Sequence, residues 1–281
     1  MNASRKSLRL WAGALSATAA LAIGLGIPPR AAQTTAQKPG TQRQGISAKQ
    51  KTNPAVSSKP LPVPFRAGET LRYRVAWAAF SNAATLELAV PEQRDLFGSE
   101  TWHFRAQAHT VSPVRSLFAI DDQFDSYTDE FALETRQYEM HLSELGKVED
   151  DVLHLVHQGE VSHAPAPRTI VLPGTLDPLG VVYALRRVDW DRTPEFRCPV
   201  YDGHDMFDIT ARRDPAGDNI KVAAGSFSAS HMTIRVFQHD KEMSAVHFSA
   251  WITNDATRKP VLIQAQLPFG SLRAELVSIS Q

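Results

Sequence analysis

Phe65-Arg66-Ala67-Gly68-Glu69-Thr70-Leu71-Arg72-Tyr73-Arg74-Val75-Ala76-Trp77 is the stretch on which the fold turns. Leu71, Tyr73, Val75 and Trp77 alternate with Arg72, Arg74 and Ala76. Successive side chains of an extended chain point to opposite faces, so a period of two marks a strand with one buried side. The pattern recurs in Ala84, Leu86, Leu88 and Val90, in Trp102, Phe104, Ala106 and Ala108, and in Tyr138, Met140 and Leu142. It returns in Ile234 and Val236, in Val246, Phe248, Ala250 and Ile252, in Val261, Ile263, Ala265 and Leu267, and in Leu272, Ala274 and Leu276. Asp202-Gly203, Ala216-Gly217-Asp218 and Pro268-Phe269-Gly270-Ser271 read as turns between strands.

One segment breaks the period. Asp177-Pro178 opens a run in which Leu179, Val182 and Leu185 share one face at helical spacing. Asp caps free backbone donors and Pro suits a first helical turn, so a helix is expected over about 177–189. A short helical turn is expected at 114–118. The chain is thus read as mainly β: a single curved antiparallel sheet or open β-barrel of about twelve strands with one helix.

Upstream of this domain (65–281) lie two different segments. Residues 33–64 are rich in Gln, Thr, Ser, Lys and Pro and lack aromatic residues, which reads as a disordered linker. The linker carries Lys38, Arg43, Lys49, Lys51 and Lys59 and no acid. Residues 1–32 hold Arg5, Lys6 and Arg9 before an apolar run from Leu10 to Ile27, then Pro28-Pro29-Arg30. A basic start, an apolar middle and a break describe a secretory signal peptide, with an uncleaved N-terminal anchor in the inner membrane as the alternative. A periplasmic or secreted location follows as an expectation. The formal charge of the whole chain is zero, 30 basic against 30 acidic residues, which argues against a nucleic-acid binder. All 30 acids lie in the β-rich domain, so an acidic domain follows a basic linker. Membrane contact is expected only through the N-terminal segment or that linker. The single cysteine, Cys198, excludes an intramolecular disulfide and a multi-cysteine zinc site.

Phe65-Arg66-Ala67-Gly68-Glu69-Thr70-Leu71-Arg72-Tyr73 resembles the opening motif of domain of unknown function 3108, an uncharacterised family of exported bacterial proteins. Asp121-Asp122-Gln123-Phe124-Asp125-Ser126-Tyr127 is similar to a family strand, and Asp177-Pro178-Leu179 to Leu185-Arg186 to its central helix. Asp202-Gly203 with Phe207-Asp208-Ile209 resembles a family hairpin. The C-terminal match is the best: Trp251-Ile252-Thr253-Asn254-Asp255, Arg258-Lys259-Pro260-Val261 and Phe269-Gly270-Ser271-Leu272-Arg273-Ala274-Glu275-Leu276. The usual glycine between the first two strands is replaced by Asn82-Ala83-Ala84. The resemblance implies a periplasmic β-rich domain and brings no catalytic residues.

The residues offer little chemistry of their own. No Gly-x-Ser-x-Gly elbow occurs, and Gly225-Ser226-Phe227-Ser228 reads as a turn. Neither His-x-His nor His-Glu-x-x-His occurs, so the ten histidines read as scattered over the surface and no metal site is expected. Asp121, Asp122 and Asp125 lack the glycine and closing glutamate of a calcium loop and read as strand-edge acids. Cys198 reads as a buried small apolar residue, Asp177 as a helix cap, Asp255 as a turn residue, and Arg186 as a partner for a strand carboxylate or the helix dipole. No cofactor and no catalytic residue are expected. The favoured function is a binding or carrier domain for a hydrophobic or lipid-like small molecule, with Tyr73, Trp77, Trp102, Phe104, Tyr183 and Trp251 lining a cavity. The alternative is an envelope assembly protein that pairs with a protein partner through an exposed sheet edge.

Overall fold

The computed structural model describes residues 62–268 and 270–281. The expected signal segment and nearly all of the expected linker lie outside the described residues. Fourteen strands form one sheet: β1 (Thr70–Trp77), β2 (Phe80–Leu96), β3 (Ser99–Thr110), β4 (Asp121–Asp129), β5 (Thr135–Glu144), β6 (Lys147–His157), β7 (Thr169–Val171), β8 (Glu195–Tyr201), β9 (Met206–Val222), β10 (Gly225–Gln238), β11 (Lys241–Glu242), β12 (His247–Thr253), β13 (Pro260–Leu267) and β14 (Gly270–Ser280). The two shortest, β7 and β11, are too brief to carry a visible period, which is why alternation suggests only about twelve. One helix, α1 (Pro178–Arg187), falls where its spacing predicts, and a 3-10 turn covers Val114–Ser116.

The order across the sheet is β7-β6-β5-β4-β3-β2-β1-β14-β13-β12-β10-β9-β8, with β11 paired only to β10. Every pairing is antiparallel except β6 with β7. Two meanders, β1–β6 and β8–β14, therefore meet where the first strand pairs with the last, Thr70 opposite Ser280 and Trp77 opposite Leu272. Sheet twist brings the two far edges round toward each other, and residues 172–177 strap them. The Thr135 N–H, beyond the reach of β6, donates to the Thr175 carbonyl at 3.2 Å. The Leu176 N–H donates to the Pro199 carbonyl at 3.0 Å, and the Tyr201 N–H donates to the Leu176 carbonyl at 2.9 Å. The turn from β8 to β9 packs so closely on β5 and β6 that a Cβ at Gly203, where φ is +107°, would lie 2.9 Å from the Met140 methyl. The result is a nearly closed barrel.

The inward face repeats the sequence alternation. Leu71, Tyr73, Val75 and Trp77 of β1 are buried, as are Leu272, Ala274 and Leu276 of β14. Each large apolar side chain so buried stabilises the fold by ~1.5–3 kcal/mol. Helix α1 lies against β3, β4 and β8 with all of Pro178–Arg186 buried. Its start is fixed by Asp177: one carboxylate oxygen accepts from the Leu179 and Gly180 N–H groups at 2.8 and 2.9 Å. The other accepts from the hydroxyls of Ser126 and, at 2.6 Å, Thr135. The helix is thus pinned to β4 and β5 before it makes a single apolar contact.

Several local expectations are corrected. Ala216-Gly217-Asp218 is not a turn but lies within β9, where Gly217 pairs with Ser230 and Arg213 with Met232. Asp214, Pro215 and Ala216 bulge out opposite His231, because proline has no N–H for the ladder. Gly225-Ser226-Phe227-Ser228 opens β10, and the turn precedes it at 223–224. Asp122 and Asp125 are not at an edge, since β4 is flanked by β3 and β5 and both carboxylates are buried. The histidines are not all superficial either: His103 and His157 are buried.

Candidate functional site

Three segments distant in sequence converge at the C-terminal end of α1. Glu69 immediately precedes β1, Arg186 lies in the last turn of α1, and Thr257-Arg258-Lys259 leads into β13. Arg186 is 1 % exposed and Glu69 2 %, yet they form a two-pronged ion pair at 2.5 and 3.1 Å. The same guanidinium donates to the carbonyls of Arg258 and Thr257 at 3.0 Å each and of Pro64 at 3.4 Å. A buried charge is tolerated only when its donors and acceptors are met in this way. Phe65 and Tyr183 flank the guanidinium, with ring centroids 5.4 and 5.5 Å from its carbon. Burial pushes the nearby Lys259 ammonium below its usual range, with Glu69 and Asp255 pulling the other way.

Four of the six aromatic residues expected to line a cavity gather beside this joint. Phe65 meets Trp102, Phe104 and Tyr183 edge-on at 5.1, 5.2 and 5.3 Å, and Phe104 stacks on Tyr183 at 3.7 Å. Tyr73 lies within electrostatic reach of Tyr183, Arg186 and Glu69, and burial raises both phenols. Each phenol is satisfied: Tyr73 donates to the Pro260 carbonyl at 2.7 Å and Tyr183 to the Ala89 carbonyl at 2.9 Å. The other two stand apart. Trp77 packs edge-on to Phe118 near the β1–β2 turn, and Trp251 stacks on His231 at 4.3 Å and donates to Asp218 at 2.7 Å. The six do not form one wall: Trp102, Phe104 and Tyr183 are joined through the Phe65 ring, and Phe104 stacks directly on Tyr183 of α1.

Next to the Arg186 joint lies a pocket of about 200 Å³. It is lined by the buried side chains of Trp190, Met232 and Ile252 and by Asp191, Arg213, Ser230, Thr253, Asn254 and Arg258, and most of its surface is polar. Several of the lining residues are held by hydrogen bonds. The Trp190 indole donates to the Leu185 carbonyl at 3.0 Å. Arg258, at φ +42°, donates through one nitrogen to the carbonyls of Arg187 and Val188 at 3.0 and 2.7 Å, closing the exposed end of the helix. Arg213 donates to Asp191 at 2.5 Å, and the Ser230 hydroxyl donates to Asn254 at 2.7 Å. Both guanidinium groups keep further N–H donors beyond these bonds. With two guanidinium groups against the single carboxylate of Asp191, the arrangement is suited to holding a small anion by several N–H donors. Ser230, held by an amide with no imidazole among the lining residues, is not an activated nucleophile.

Glu69, Arg186, Asn254 and Arg258 sit inside separate motifs that sequence spacing does not join, because pairs such as Glu69 and Arg186 are 117 residues apart. Arg213 carried no signal at all. Other readings hold as made: Asp177 is a cap, Asp255 accepts from Thr257 within its turn, and the buried Cys198 thiol is pushed up to about 12 by desolvation. No helix among the described residues is long and apolar enough to cross a membrane.

Against known proteins, the family model for a protein of unknown function, DUF3108, matches residues 72–277. No curated protein matches the chain. Among solved structures, a β-barrel-like protein of domain of unknown function DUF1849 from Brucella abortus is 10 % identical with a TM-score of 0.48, covering 76 % of this chain and 97 % of its own. A Bacteroides fragilis protein described as exported, with a YmcC-like fold, is 9 % identical with a TM-score of 0.36, covering 79 % and 100 %. A Parabacteroides distasonis protein described as a lipoprotein is 10 % identical with a TM-score of 0.38, covering 78 % and 98 %.

Proposed function

Since the chain belongs to the DUF3108 family of proteins of unknown function, whose name carries no activity, we propose from the pocket itself that it is a non-catalytic, extracytoplasmic binding module. Its ligand is a small carboxylate or phosphate, free or as the headgroup of a lipid-like molecule. The observation that carries this reading is the pair of guanidinium groups, Arg213 and Arg258, on one pocket that Met232, Ile252 and Trp190 also line. N–H donors left over on two guanidinium groups favour an anion, and Met232, Ile252 and Trp190 offer apolar contact to an attached carbon chain. The basic leader followed by an apolar run supports export.

The test is native mass spectrometry of the protein purified from a bacterial periplasm, then solvent extraction and identification of what is released. A near-stoichiometric anionic amphiphile that Arg213→Gln abolishes supports the lipid-like ligand. A clean mass with saturable uptake of a short-chain carboxylate or phosphate, again lost in Arg213→Gln, supports the free anion. A clean mass and no uptake of either overturns the reading.

A second reading rests on β7. This strand ends the sheet, is three residues long, and leaves Ile170 70 % exposed with Leu172 exposed beside it. An added strand from an envelope protein would cover that edge. Cross-linking from position 170 to one defined partner, in protein that shows a clean mass, would favour it over the pocket.

A further inference from the structure

The outer face of the first meander carries a grid of polar side chains that the function proposed above does not use. On neighbouring strands Asp125 stands opposite Glu139, and Gln123 opposite His141, which in turn faces Asp150. Donor atoms of Asp125, Glu139 and His141 all lie within 4.8 Å of one another. We propose that these three residues form a binding site for a divalent transition-metal ion of the zinc class.

Three features distinguish the cluster from surface acids in chance proximity. First, it contains an imidazole already oriented as a ligand. Asp150 holds His141 Nδ1 at 2.8 Å, and this turns Nε2 toward the Glu139 carboxylate at 3.4 Å. A carboxylate behind the ring, with the other nitrogen facing the ion, is the usual support of a metal-bound histidine. Second, the two carboxylates are held in place from behind. Gln137 donates to one oxygen of Glu139, leaving the other beside His141. His103 and Arg105 reach the same oxygen of Asp125 at 2.5 and 2.8 Å, and Gln123 reaches the second at 2.6 Å. Asp125 is buried while His141 is partly open to solvent, so the cluster has a fixed base and an entry path. Third, the protein contains a contrasting case. Glu134, His157 and Glu160 also bring their donor atoms together, but Arg136 sits among them, bonded to Glu160 and 3.8 Å from Glu134. That group carries its own cation, whereas at the first cluster Arg105 bonds to Asp125 alone of the three.

One imidazole with two carboxylates matches the donor preference of zinc, cobalt, nickel or copper better than that of magnesium or calcium, which favour oxygen alone. Bond lengths of about 2.0–2.2 Å to each donor require only small side-chain movements from the observed spacing. The His-x-His and His-Glu-x-x-His patterns could not expose such a site, because its ligands come from two strands paired across a sheet.

The experiment titrates the untagged, chelator-treated full chain with Zn²⁺ by calorimetry and with Co²⁺ by visible absorption. The expected result is one ion per chain and a cobalt ligand-field band. Both are lost in His141→Ala and in Glu139→Gln, and affinity falls about 10–100-fold in Asp150→Asn. His204→Ala, on an exposed turn, leaves binding unchanged. Circular dichroism confirms that each variant is folded, which the partial exposure of His141 favours. No binding of either ion at large excess overturns the proposal, as does binding that His141→Ala leaves intact.

Discussion

At the scale of single residues, the buried pair of Glu69 and Arg186 commits the molecule most. Removing one partner strands the other charge without water, so Glu69→Gln and Arg186→Met are each expected to cost about 3–5 kcal/mol, read from denaturant midpoints. The double variant Glu69→Leu with Arg186→Met leaves no unpaired charge and is expected to recover part of that loss, the remainder reflecting the Arg258, Thr257 and Pro64 carbonyls that lose their donor. Singles that unfold at the wild-type midpoint would mean that the pair contributes nothing. Glu69 follows a glycine turn and Arg186 lies in the last turn of a helix; the sequence suggests a carboxylate partner for Arg186 but does not say which one. An isolated acidic or basic residue beside an apolar run usually stays in water, so burial of both is a property of the closed barrel alone.

Among the elements, α1 depends on what surrounds its first turn. Gly180 has ordinary helical geometry, so Gly180→Ala should add about 0.5–1 kcal/mol by propensity alone. In this protein the new methyl would meet the Asp177 carboxylate at 3.1 Å and Thr128 and Thr135 at 3.5 Å. That carboxylate is held by four hydrogen bonds and has nowhere to retreat. Gly180→Ala is therefore expected to lower the melting temperature; a rise would show that the cap can shift. Most strands were legible because each has one wet and one dry face, which writes a period of 2 into the residues; the helix is buried all round, and the Asp177-Pro178 start with the spacing of Leu179, Val182 and Leu185 marked it instead. β9 was misread because Pro215 and Gly217 usually interrupt a strand, whereas here they form a bulge within one. The pocket was not legible, because its lining comes from β9, β10, β12 and the segments after α1 and before β13, which meet only once the sheet curls.

Across the whole molecule, the seam is the least redundant part of the barrel. Elsewhere neighbouring strands share long ladders; between β5 and β8 the link is the strap of residues 172–177. Leu176→Pro removes the N–H that donates to Pro199 while keeping an apolar residue. It is expected to speed amide exchange at Tyr201 and at Thr135 on the strap's other side, with the β1–β14 amides unaffected. Exchange that rises uniformly over the barrel would mean that closure is cooperative with the whole fold rather than local.

The pairing of β1 with β14 also fixes when this protein can exist. A chain that emerges N-terminus first, from a ribosome or through a translocation channel, presents Thr70–Trp77 some 200 residues before its partner Leu272–Ser280 arrives. Until then the first meander has a bare edge at β1, and Arg186 can engage Glu69 without yet having the Thr257 and Arg258 carbonyls that complete its shell. The barrel is therefore finished by its last segment, and nascent chains cut short before Gly270 should be the substrates of holding chaperones and envelope proteases, while full-length chains escape both.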